Sequence, residues 1–154
     1  MRYLLIDRID EVKKLEYAVG TKCVTLSEDV FEHHFPGQPV YPGALLIESM
    51  AQVGGVLLEI SLPDVLGYRP RCVLSTVKAK FRDFVSPGDS LCLRAQVKSR
   101  HDDSAMVKVE VRCGERRVAE ADLLYIFLRI EDERLEAARA EYLRVLTRST
   151  RFVE

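Results

Sequence analysis

Alternation of apolar and polar positions runs through the second half of the chain. In SLCLRAQVKS (90–99), Leu91, Leu93, Ala95 and Val97 fall on one side and Arg94, Gln96 and Lys98 on the other; Val107, Val109 and Val111 alternate in the same way with Lys108, Glu110 and Arg112. A period of two marks a strand with one wet face. Strands are predicted around 71–84, 89–100, 104–113 and 116–130, with SPGD (86–89) and CGER (113–116) supplying turns. ADLLYIFLRI (121–130) is apolar on both faces, which puts it in the middle of a sheet or at a subunit contact. A shorter β-like pattern over 8–25 is expected to break at Val19 or Gly20 into two strands.

The period changes after Pro42. Proline is tolerated in the first turn of a helix, and ALLIESMAQVGGVLLEI carries the helix to about Ile60, a span of about 27 Å at 1.5 Å per residue. Its apolar residues fall on almost every face, so other structure must wrap it. Pro36, Gly37 and Pro39 rule out a regular element over 27–41, and each proline biases the residue before it (Phe35, Gln38, Tyr41) towards extended geometry. Residues 61–70, with Pro63, Gly67 and Pro70, read as a loop. EDERLEAARAEYLRVLTRST (131–150) puts Leu135, Ala138, Tyr142, Val145 and Leu146 on one stripe, acidic residues early and arginines late, as an amphipathic helix does. The expected class is α+β: an antiparallel sheet wrapped around one long central helix, with an added C-terminal amphipathic helix. One domain is expected over 1–154, a core over 1–130 and the helical extension over 131–150.

Composition narrows this further. The chain has 154 residues, 47% hydrophobic and 31% charged, with a net charge of −1, as a globular protein does. That charge gives no case for nucleic-acid or membrane-surface binding. Cys23, Cys72, Cys92 and Cys113 form no CxxC pair, so no metal is expected, and they read as reduced, mostly buried thiols of a cytoplasmic protein. The opening MRYLLIDRIDEV has too short an apolar run for a signal peptide or a membrane span.

A carboxylate, Glu48, interrupts the apolar helix near its start. The neighbours of Glu48 at three and four residues are Ala44, Leu45, Ala51 and Gln52, with Gly55 seven on along the same face, mostly small, so space is left around it. An acid enclosed there without partners would be costly or protonated, and Gln52, one turn on, is placed to hydrogen-bond it. The bland alternative is a carboxylate reaching solvent at the helix edge. His33 and His34 stand in the proline-stiffened loop that feeds this helix, and a histidine held in place is a candidate base. The Gly43 amide, in the first helical turn, has no intrahelical acceptor and sits at the positive end of the helix dipole. Such a donor suits a carbonyl oxygen that gains negative charge.

HFPGQPVYPGALLIESMAQVGG, 22 contiguous residues, resembles the signature loop and helix of the hot-dog-fold β-hydroxyacyl-acyl-carrier-protein dehydratases of the FabZ type, whose pattern is approximately GHFPGxPxxPGxLxxEAMAQ. LLIDRI (4–9) and FRDFVSPGDSL (81–91) resemble that family's opening segment and its FRxPVxPGDxL turn. The resemblance implies His34 and Glu48 as catalytic residues, the Gly43 N–H as oxyanion donor, and Gln52, Phe35 and Pro42 as supporting residues. It implies dehydration of 3-hydroxyacyl-carrier-protein thioesters to trans-2-enoyl thioesters in fatty acid or related acyl synthesis. The substrate would arrive on the phosphopantetheine of acyl carrier protein, with no cofactor or metal. It also implies a homodimer, or a trimer of dimers, in which the histidine of one subunit meets the glutamate helix of the other. The chain departs from the pattern at His33, where glycine is usual, at Ser49, where alanine is, and at Asp83 and Phe84, where arginine and proline are.

Arg69, Arg71, Lys78, Lys80 and Arg82 are candidates for a patch that docks the acidic carrier; a solvated strand face is the bland alternative. Two other functions stay open: a hot-dog acyl thioesterase, or a dehydratase that also isomerises, against which glutamate at 48 argues; and a non-catalytic acyl-binding or partner subunit.

Overall fold

The computed structural model describes residues 3–154; Met1 and Arg2, the first two residues of the apolar opening segment, lie outside it. Seven strands form one sheet. They are β1 (Arg8–Lys13), β2 (Tyr17–Cys23), β3 (Arg71–Phe81), β4 (Ser90–Arg100), β5 (Ser104–Cys113), β6 (Arg116–Leu128) and β7 (Arg151–Val153), in the spatial order β3-β6-β5-β4-β2-β1-β7. Every pairing is antiparallel except β1 with β7. The helix α1 (Gly43–Ser61) lies against the sheet, followed by a single turn, α2 (Pro63–Leu66), and later by α3 (Glu133–Leu146). This is the hot-dog arrangement, a sheet curled around one long helix.

The reason is burial. Met50, Val53, Val56, Leu57 and Leu58 of α1 are fully enclosed, and Leu91, Leu93, Val107, Val109, Val111 and Leu123 meet them from the sheet. Each such side chain contributes roughly 2 kcal/mol by leaving water. Gly43–Leu66 is long and apolar enough to cross a membrane by composition, but 72% of its most apolar window is buried inside the protein. Two glycines set how closely α1 and its surroundings meet. A Cβ on Gly20 would come within 2.9 Å of Val53 on the helix, and one on Gly54 would run into the Tyr125 hydroxyl.

Several expectations are corrected. The break between the first two strands falls at Lys14–Glu16, where Leu15 takes φ 64°, and not at Val19 or Gly20. Gly20 is mid-strand because the helix passes over it. The loop over 27–41 contains a 3-10 turn, Asp29–Glu32, that buries Phe31, and 61–70 contains α2. The cysteines are all free but not mostly buried: Cys23 and Cys92 are exposed and Cys72 and Cys113 half-buried, because Cys92 falls on the wet side of the alternation in β4. On α3, Tyr142 and Leu146 turn inward, but Leu135, Ala138 and Val145 are exposed and Leu143 and Arg139 take their place. The helix ends at Leu146 and the chain returns as β7, where the Thr150 hydroxyl donates to the Ile9 carbonyl at 2.6 Å.

Candidate active site

The histidine loop is built from its own backbone. His33 and His34 both donate to the Val30 carbonyl, Phe35 and Gln38 exchange hydrogen bonds at 3.0 and 2.9 Å, and the Val40 amide donates to His34 O at 2.9 Å. The His34–Phe35 peptide is cis. Tyr41 N–H then ties the loop to Val85 O at 2.7 Å, just before Pro42 caps α1. His34 Nδ1 lies 2.6 Å from the Val40 carbonyl. A carbonyl only accepts, so Nδ1 carries the hydrogen, and in the neutral ring Nε2 is the basic nitrogen. Phe35 stacks on the imidazole at 4.0 Å while half its surface stays exposed.

His34 lines a cavity of about 310 Å³ with Phe35, Tyr41, Gly43, Phe81 and Phe84. Apolar side chains form most of its wall. Gly43 is the first residue of α1, and a Cβ there would press on the Phe81 ring at 3.0 Å. Burial pushes the Tyr41 phenol up to about 12. At the rim, Asp83 is ion-paired to Arg116 at 2.8 Å and accepts the Phe84 amide, and both interactions, the arginine's first, hold its carboxyl below the usual range. His33 is exposed.

Glu48, half-buried, belongs to a second cavity of about 410 Å³ on the other side of the helix start, shared with Gln52, Gly55, Glu59, Tyr125 and Arg139. Gln52 Nε2 donates to Glu48 Oε1 at 3.1 Å and to the Tyr3 carbonyl at 2.9 Å, while its Oε1 accepts Leu5 N–H at 2.8 Å. The Ser49 hydroxyl donates to Leu5 O at 2.9 Å. The N-terminal segment is thereby strapped to the helix at the level of the carboxylate, whose charge raises the pKa of the Tyr3 phenol facing it. Within one chain, His34 and Glu48 are thus assigned to different cavities, with Gly43 in that of His34.

Three further groups line the Glu48 cavity beyond those the sequence motif marks. Tyr3 lies 45 residues before Glu48 (48 − 3), and no local pattern links them. Glu59 is on the Glu48 face of α1, 11 residues on (59 − 48), a repeat that helical spacing does make visible. Arg139 of α3 donates to Glu59 at 2.6 Å, and Glu59 is 3% exposed.

The basic residues do not form one free face. Arg71 contacts Glu59 and Glu136 and donates to Leu135 O, and Arg82 pairs with Glu120 at 2.9 Å. Arg69 Nε is buried. Lys78 and Lys80 are exposed, yet they stand beside Glu120 and Asp122 as well as Lys108. Nearby acids therefore neutralise much of the charge that strand periodicity had grouped together.

A family model described as a FabA-like domain matches residues 1–122. The 3-hydroxyacyl-[acyl-carrier-protein] dehydratase FabZ of Syntrophobacter fumaroxidans is 42% identical over 122 residues, covering 79% of this chain and 82% of that protein. The enzyme of the same name from Enterococcus faecalis is 41% identical, covering 80% and 86%. Among solved structures, an uncharacterized protein from Pyrococcus horikoshii superimposes with a TM-score of 0.66 at 16% identity, over 85% of this chain and 89% of that one. A Streptococcus mutans protein bound to acetyl CoA gives 0.66 at 16%, over 86% and 96%. These two likenesses concern the fold alone. The match over the first 122 residues and the two dehydratases at more than 40% identity show the family: this chain belongs to the FabA-like family.

Proposed function

We propose that this protein dehydrates 3-hydroxyacyl thioesters carried on acyl carrier protein, giving trans-2-enoyl thioesters and water, in fatty acid or related acyl synthesis. His34 Nε2 takes the proton from C2. The electron pair left behind forms the C2–C3 double bond as the C3–O bond breaks, and Glu48 delivers a proton to the departing hydroxyl so that it leaves as water. The Gly43 N–H faces the thioester oxygen while it carries enolate-like charge, a contact worth about 3 kcal/mol in the transition state. Transfer of the histidine's proton back to the glutamate completes the cycle. These steps call on no metal or redox cofactor.

The observation that carries this reading is the 2.6 Å contact between His34 Nδ1 and the Val40 carbonyl, because it leaves Nε2 as the proton acceptor on a ring oriented by that bond. His34 and Glu48 come together when two copies associate, the histidine loop of one against the glutamate helix of the other. The 11-residue edge strand β3, with Val73, Val77 and Phe81 exposed along it, supports such a pairing. A cytoplasmic location accompanies this reading, in which the free cysteines have no disulfide to form.

The test is an incubation with a 3-hydroxyacyl carrier thioester, following enoyl product, free thiol and released acid. Enoyl product lost in both His34→Ala and Glu48→Gln is the expected result. Free thiol with no enoyl product would mean a thioesterase, and no turnover by a folded protein would mean a binding subunit.

A further inference from the structure

The cavity that holds Glu48 does not end there. It follows one face of α1, past Ala51 and Gly55, to Glu59, a distance of about 16 Å for 11 residues at 1.5 Å each. Cys72, Val73 and Leu74 of the edge strand form the facing wall. The middle is open because the helix carries almost no side chain there: a Cβ on Gly55 would meet only the Tyr125 ring, at 3.9 Å. A channel that begins at a reacting carboxylate and continues along small residues has the shape of a site for a flexible acyl chain.

At its Glu59 end the lining passes to α3. Tyr142 and Arg139 line that end, the guanidinium lies 4.1 Å from the centre of the Tyr142 ring, and Arg139 Nε donates to Glu59 at 2.6 Å. Arg71 approaches the same carboxylate at 4.0 Å. The wall is therefore an ion pair between the buried Glu59 and the half-buried Arg139, with an aromatic ring against the guanidinium, and a hydrocarbon end could pass only by separating these charges. Because α3 begins at Glu133, beyond the 1–122 stretch matched by the family model, Tyr142 and Arg139 are no part of that match, whereas Glu59 and Arg71 are.

We propose that Tyr142 and Arg139 form an end stop that sets the longest acyl chain the Glu48 site accepts. The inference rests on the proposed dehydration at Glu48 and adds to it a substrate preference for chains short enough to end before Glu59. A polar end wall gains nothing from a longer methylene tail, whereas opening it lets each further methylene leave water.

Rates of enoyl formation on a graded series of saturated 3-hydroxyacyl thioesters test this. In the native protein kcat/KM should fall sharply beyond one chain length. Tyr142→Ala should raise the long-to-short ratio of kcat/KM about tenfold or more. Gly55→Val, which fills the channel midway, should move the cut-off to shorter chains, and it carries the test on its own if Tyr142→Ala fails to fold. Short substrates turned over with the same length profile in native protein and both variants would overturn the end stop while leaving the dehydratase reading intact. No enoyl product from native protein at any length would overturn both.

Discussion

His34 and Glu48, 14 positions apart (48 − 34), line separate cavities of the same chain: the first opens beside Gly43 and Phe81, the second beside Gln52 and Tyr3. If two copies complete each other, each dimer holds two sites built from the histidine of one and the glutamate of the other. His34→Ala and Glu48→Gln should each be inactive alone. Mixed and allowed to exchange subunits in equal amounts, they should regain about one quarter of native activity, because half the dimers are mixed and each mixed dimer has one intact site. No recovery after exchange has been verified by mass spectrometry would rule out a shared site.

Gln52 is proposed as a positioning residue. Its amide is fully engaged, with Leu5 N–H, Tyr3 O and Glu48 Oε1, so replacing it both frees the carboxylate and orphans a buried amide. Gln52→Leu should lower kcat by about ten- to a hundredfold through misplacement of Glu48, with KM changing far less. It should also cost about 1–3 kcal/mol of stability, because Leu5 N–H loses its acceptor. A variant that melts lower but keeps kcat would reduce Gln52 to a structural tie.

Much of this arrangement was legible in the residues, where the cause is local. Proline at 42 and glycine at 43 mark the start of α1, apolar residues on almost every face from Leu45 to Ile60 announce a wrapped helix, and the four-residue step from Glu48 to Gln52 forecasts a hydrogen bond. Strict alternation gave β4 and β5 nearly to the residue. The misreadings arise where a distant segment decides. Gly20 looks like a turn but is needed because Val53 passes over it. The true turn uses Leu15 at φ 64°, a conformation no leucine advertises. Arg71, grouped with the lysines by strand period, is drawn to Glu59 and Glu136. The three-residue β7 is strand only because β1 offers it an edge.

The contact between Gly54 and Tyr125 makes a stability test in which two effects oppose each other. Alanine in a helix interior is better than glycine by about 1 kcal/mol, but a Cβ at 54 would collide with the Tyr125 hydroxyl, which is buried and donates to Ala51 O at 2.6 Å. The collision should win, so that Gly54→Ala destabilises by about 1–3 kcal/mol. Tyr125→Phe alone should cost about 1 kcal/mol for the lost hydrogen bond. In urea unfolding the double variant should be more stable than the sum of the two losses predicts, by at least about 0.5 kcal/mol. Additive losses would mean that the Cβ is opposed by the ring carbons and not by the hydroxyl.

Glu11 predicts how the C-terminal strand responds to pH. It accepts hydrogen bonds from the Tyr17 hydroxyl and from Arg151 of β7, and these, the tyrosine's first, hold its carboxyl below the usual glutamate value. A depressed carboxyl adds stability that is present above its unfolded value and lost as pH falls through the folded one. The Tyr17 phenol is raised, chiefly by the same hydrogen bond; it adds stability that is present below the ordinary tyrosine range and lost as pH rises through the folded value. Melting temperatures of native protein and Glu11→Gln should therefore differ most near neutral pH, with the gap closing in acid and again in strong alkali. Both groups are exposed enough for salt to narrow the gap as well. Curves that stay parallel across the whole range would show that the Glu11 interactions add no pH-linked stability to the β1–β7 pairing.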